Sequence, residues 1–137
     1  HGGKEAIEIY REHYKPSDRH ETPNPAICVW ALAAETHEEA QYHFSSRARW
    51  QLYRDRGLHL SFETPEVSME QDYNEYEQAK IEELRKKTFV GTGEEVAERI
   101  SKLSKQLGVE EVAIVTWAHS DEARRNSYAE IAKAFAM

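Results

Sequence analysis

Cysteine is almost absent: the 137 residues hold one, Cys28, so the chain has no intrachain disulfide and no multi-cysteine metal site. Nothing therefore points to an oxidising compartment, and the expectation is cytoplasmic. Basic residues are outnumbered, 18 Lys and Arg against 25 Asp and Glu, for a formal charge of −7. A surplus of that sign is repelled by phosphate, which argues against nucleic acid and acidic lipid surfaces as partners. Long apolar runs are missing too. None approaches the about 20 residues of a membrane span, and the polar opening His1-Gly2-Gly3-Lys4-Glu5 does not read as a signal peptide. What remains is ample for one core: 39% of residues are apolar against 31% charged, the balance of a folded chain with a polar exterior.

Two segments are continuously apolar, Ile27 to Ala34 and Val112 to Trp117. Unbroken hydrophobicity, as opposed to alternation, predicts strands covered on both faces, as in a parallel sheet. Around them lie helical patterns. Ile7, Tyr10 and Tyr14 predict a short helix over 5–14, stopped by Lys15-Pro16-Ser17. Thr36-His37-Glu38-Glu39 has the form of a capping box and opens a helix to about Arg56, with Ala40, Phe44, Ala48 and Leu52 every fourth residue. Gly57 ends it, and 58–67 reads as a loop, a short strand or a flap. Ser68-Met69-Glu70-Gln71 predicts a polar helix over 68–87. Phe89-Val90-Gly91 then leads into the capping box Thr92 to Glu95, and Val96, Ile100, Leu103 and Leu107 form a helical stripe closed by Gly108. A last helix starts at Ser120 or Asp121, with Tyr128, Ile131 and Phe135 as its buried face.

The pattern is α/β: two parallel-type strands in predominantly helical surroundings. Two strands buried on both faces would each be an edge, so the sequence asks for neighbours it does not contain. The 137 residues therefore read as a single partial domain, part of a larger sheet or barrel.

Phe89 to Ile100, followed by Gly108 to His119, resembles the C-terminal end of the bacterial luciferase-like flavin monooxygenases. Asp121 to Tyr128 resembles the start of that family's last barrel helix, Ala33 to Ala40 its strand-to-helix turn, and Ile9 to Ser17 the segment before that strand. The pieces keep the family's order, while 41–88 matches in helical character more than in residues. One departure is Gly93, where the family commonly has proline at the first helical position. The resemblance implies the C-terminal part of a (β/α)8 TIM barrel, a fold of about 250 residues. Ile27 to Ala34 would be its seventh strand, Val112 to Trp117 its eighth, and 36–88 a helical insertion or lid. It implies FMN as cofactor, with reduced flavin and a small organic substrate as the longer protein's partners, and a chain that is inactive in isolation.

Catalytic groups in such barrels project from strand C-termini. On that ground Trp117 and Thr116 are the candidate cofactor contacts and His119 the candidate proton or hydrogen-bond donor. The competing account has Trp117 packing the strand end and His119 solvated before a helix. A phosphate at the Gly91–Thr92 turn competes with capping by Thr92 and Glu95, and Glu94 and Glu95 would repel it. His37, His43 and His59 lack metal-ligand spacing, so no metal is expected. Tyr42, Trp50, Tyr53, Tyr73 and Tyr76 read as packing, a lid or a subunit contact, and pairing of the orphan strands between copies would give a homo-oligomer. Two further classes stay open: a non-catalytic helix-rich interaction module, and a flavin or deazaflavin hydride-transfer oxidoreductase of the same fold.

Overall fold

A computed structural model describes residues 3–136. The elements run α1 (Gly3–His13), β1 (Ala26–Ala34), α2 (His37–Asp55), α3 (Pro65–Met69), α4 (Glu75–Lys87), β2 (Phe89–Thr92), α5 (Gly93–Leu107), β3 (Glu111–Val115) and α6 (Asp121–Ala134).

The sheet has three strands, not two, in the order β2-β1-β3, all parallel. β1 is shared end to end between its neighbours. Its first half pairs with β3, from Ala26 opposite Glu111 to Trp30 opposite Val115; its second half pairs with β2, from Ala31 opposite Phe89 to Ala34 opposite Thr92. The segment expected only to lead into a helix is thus a strand. It is short because it needs to cover only the last four residues of β1, and it passes directly into α5 at the cap Thr92.

Side-chain alternation splits the core in two. On one face Val29, Ala31 and Ala33 meet Val96 and Ile100 of α5 and Ile131 of α6. On the other, Leu32 and Ala34 meet Ala40, Phe44 and Ala48 of α2 together with Val90. The stripe read every fourth residue along α2 is buried as expected. Cover on both faces holds only for the second half of β1. Cys28 and its register partner Ala113 are exposed, and Val112, Ile114 and Val115 are only half-buried, so near β3 the sheet is open on the side away from α5 and α6. An apolar groove of about 500 Å³, lined by Ile100, Val112, Ile114, Ile131 and Phe135, runs beside β3.

Local chemistry accounts for the helix ends. Thr36, Thr64, Asn74, Thr92 and Ser120 each accept a backbone N–H from the residue three positions on. Thr92 with Glu95 and Asn74 with Glu77 complete capping boxes; at Thr36 only the threonine half forms, and Glu39 faces His43 instead. The helix expected over 68–87 starts at Glu75. Two start signals compete in that stretch, and Thr64 followed by Pro65 at the first helical position claims Ser68 for α3, where its hydroxyl donates to Thr64 O at 2.8 Å. Gly108 ends α5 in the left-handed region, φ 62°, and its carbonyl accepts from Arg11 Nη2 at 2.6 Å, tying α1 to the turn before β3. The buried face of α6 also differs from expectation: Ser127 and Ile131 are buried, Phe135 is half-buried and Tyr128 is exposed. Among the described residues no helix is long and apolar enough to cross a membrane.

Candidate functional site

β3 ends at Val115, one residue before Thr116, while β1 continues four residues past its last β3 partner, Trp30. On that side the backbone groups of Ala31 and Ala33 have outrun the ladder, and hydroxyls replace it. Thr116 Oγ1 donates to Ala31 O at 2.8 Å, and Ala33 N–H donates to Ser127 Oγ at 2.9 Å. Thr116 N–H in turn donates to the Tyr128 hydroxyl at 3.0 Å, which explains why a tyrosine at helical spacing with Ile131 stays at the surface. Thr116 is 2% exposed, with its hydroxyl and N–H both engaged inside the protein; what it offers locally is a fixed strand end from which Trp117 projects.

Trp117 is 41% exposed and stands edge-on to Trp50, with ring centroids 5.2 Å apart at 87°. Trp50 also meets Phe62 from the loop after α2, at 6.4 Å. Three residues before Trp50 on the same side of α2 is Arg47, whose guanidinium carbon lies 4.7 Å from the Trp117 ring centroid, 4.9 Å from that of Trp30 and 5.6 Å from that of Trp50. All three tryptophans of the chain thus surround one arginine. Arg47 Nε and Nη1 and Trp30 Nε1 are buried with no hydrogen-bond partner. Burial, and then the charge of Arg54, lower the Arg47 pKa to about 10, while Asp55 works the other way, so the guanidinium remains charged at neutral pH.

His119, two residues beyond Trp117, is exposed just before the Ser120 cap. The helix start at Thr92 is occupied by its own side chains. Glu95 Oε2 accepts Thr92 N–H at 2.9 Å and lies 2.9 Å from His37 Nδ1, and these contacts hold the carboxyl below its ordinary range, the His37 bond contributing most. A carboxylate held there rejects a phosphate. Among the described residues no group of three His, Cys, Asp or Glu side chains gathers in metal-binding reach.

The structure therefore brings Trp117 together with Trp50, one of the aromatics read along the polar helices, and adds Trp30 and Arg47, which sequence reasoning missed. The one local signal for Arg47 was its spacing of three from Trp50.

No family model matches the sequence. The chain is 33% identical over 136 residues to the uncharacterized protein YwcH of Bacillus subtilis (strain 168), covering 98% of this chain and 41% of that protein. It is 23% identical over 124 residues to a protein of Escherichia coli (strain K12) named luciferase-like monooxygenase, covering 90% of this chain and 37% of that one. The crystal structure of apo-MsnO8 superposes with a TM-score of 0.83 at 22% identity over 98% of this chain and 41% of that one. The α/β arrangement, with its parallel sheet, is accordingly shared with apo-MsnO8, and the chain is distantly similar to luciferase-like monooxygenases while spanning less than half the length of the relatives it matches.

Proposed function

We propose that the chain is the C-terminal part of an FMN-dependent monooxygenase of the luciferase-like kind, one that uses reduced flavin and molecular oxygen on a small organic substrate in the cytoplasm. The observation that carries this reading is the similarity, over 90% of the chain, to the Escherichia coli protein named luciferase-like monooxygenase. The open sheet supports it. Strands left bare at Cys28 and Ala113 are what remains when a (β/α)8 barrel is represented by its last strands and helices, with the first strands contributed by chain outside these residues.

The residues present fit one wall of a flavin site and not its phosphate end. Trp117, 41% exposed, offers flat apolar surface for a ring, whereas the helix start at Thr92 presents the Glu95 carboxylate where a phosphate would need N–H donors. When bound, the flavin supplies the redox chemistry. The chain's own contribution is to set the aromatic cluster Trp117, Trp50 and Phe62 at the end of β3, to fix that strand end through the Thr116 and Ser127 hydroxyls, and to present His119 beside it as a hydrogen-bond or proton donor. Helices α2 and α4 are the lid, and the chain alone is inactive.

The test is FMN binding by the longer protein, followed by oxygen uptake with reduced FMN. Binding with uptake that rises on adding an organic substrate supports the proposal. A folded longer protein that binds no flavin overturns it, and flavin binding without substrate-dependent uptake favours hydride transfer over oxygenation.

A further inference from the structure

We propose that Arg47, framed by Trp30, Trp50 and Trp117, is the binding site for the carboxylate of an apolar organic acid. Its role as a substrate subsite rests on the monooxygenase reading; the binding itself does not.

A buried charge is ordinarily paired, because desolvating a guanidinium without an acceptor is costly. Arg47 is half-buried, and its buried Nε and Nη1 have no such partner among the described residues. It makes no ion pair and no hydrogen bond there, and the two charged neighbours that act on it, Arg54 and Asp55, do so only at a distance. Each cation–π contact recovers part of that cost, but a ring face accepts none of the in-plane N–H groups. The unpartnered buried atoms around the cage are Arg47 Nε, Arg47 Nη1 and Trp30 Nε1, and all three are donors. A site made only of donors is complementary to an anion. The planar guanidinium fork matches a carboxylate, and the flat indoles on three sides match an apolar body attached to it. Among the cage's buried donors only one group is charged, which suits a monoanion better than a phosphate dianion. Phosphate sites commonly draw on helix N-termini, and Arg47 lies in the interior of α2.

Tryptophan emission reads the site directly, since all three tryptophans of the chain line it. The full 137-residue chain is titrated with benzoate, with neutral benzamide and with phenyl phosphate. A saturable change with benzoate, absent with benzamide, is expected, weakened at least about tenfold in Arg47→Lys, which keeps the charge and loses the fork, and lost in Arg47→Met. Far-UV circular dichroism establishes that each variant is folded; should Arg47→Met fail to fold, the benzamide comparison and Arg47→Lys still decide. The proposal is overturned by no saturable change with benzoate, by equal responses to benzoate and benzamide, by a benzoate response that survives in folded Arg47→Met, or by tighter binding of phenyl phosphate. Because no flavin is present, this outcome is independent of whether the longer protein binds FMN.

Discussion

Replacing Ser127 by alanine removes the acceptor on which the end of β1 depends. Ser127 is 0% exposed and Ala33 2%, so no water reaches the bond between Ala33 N–H and the hydroxyl. Without it a buried backbone donor is left unpaired, at about 1–3 kcal/mol. Alanine's greater helix propensity returns about half a kcal/mol in α6, and the vacated hydroxyl volume is too small to change the balance. A net loss of about 0.5–2.5 kcal/mol follows, or about 2–9 °C in Tm for a chain of 137 residues. Urea unfolding followed by circular dichroism measures it, with an unchanged m-value expected because the exposed surface is the same. Thr116→Val removes the companion bond to Ala31 O, and since Thr116 Oγ1 and Ser127 Oγ are 3.5 Å apart, the double variant should lose less than the sum of the two. A folded Ser127→Ala chain as stable as the parent would refute the claim that hydroxyls stand in for the missing ladder.

Gly93→Ala should destabilise by about 1–3 kcal/mol, because a Cβ there would sit 2.4 Å from Glu130 O and 2.9 Å from Glu130 C of α6, both backbone atoms that cannot swing aside. Gly93→Pro carries the same Cβ, so the residue common at this position in the resembled family should destabilise here; thermal melts that rise for either variant would contradict the packing. Glu95 has a folded pKa below its ordinary 4.5, so the stability it contributes is present above that value and is lost as pH falls through the folded pKa. Urea midpoints taken from about pH 6 down to about pH 3 should fall less steeply in Glu95→Gln than in the parent, and parallel curves would show that the His37 and Thr92 contacts contribute nothing.

Much of this architecture is written in local pattern. The runs at 27–34 and 112–117, the stripe Ala40, Phe44, Ala48 and Leu52, and the Thr92–Glu95 box all answer to single-element physics, and each lies within one residue or two of its place. β2 escaped because four residues including Gly91 carry no periodicity; it becomes a strand only because the far half of β1 needs a neighbour. The start of α4 went astray because Ser68 and Asn74 both head plausible boxes, and the decision lay upstream in Thr64 and Pro65. Spacing places Tyr128 on the core face, but it does not report that its hydroxyl accepts the Thr116 N–H at the sheet edge. Arg47 shows the limit most clearly. Its environment is assembled from β1, α2 and the turn after β3, and no window of sequence contains Trp30, Trp50 and Trp117 together.

The function proposed above makes these residues one part of a flavin enzyme whose remaining wall lies in chain outside them. Equilibrium titration with FMN, run in parallel on the 137-residue chain and on the longer protein, tests it most directly, with quenching of tryptophan emission as the signal. Saturable, one-to-one binding by the longer protein and none by the chain alone is expected, since at the Thr92 helix start the Glu95 carboxylate stands where a phosphate would need N–H donors. A folded longer protein that leaves FMN free, or a chain that binds it as tightly without the rest, would show that these residues are not one wall of a larger flavin site.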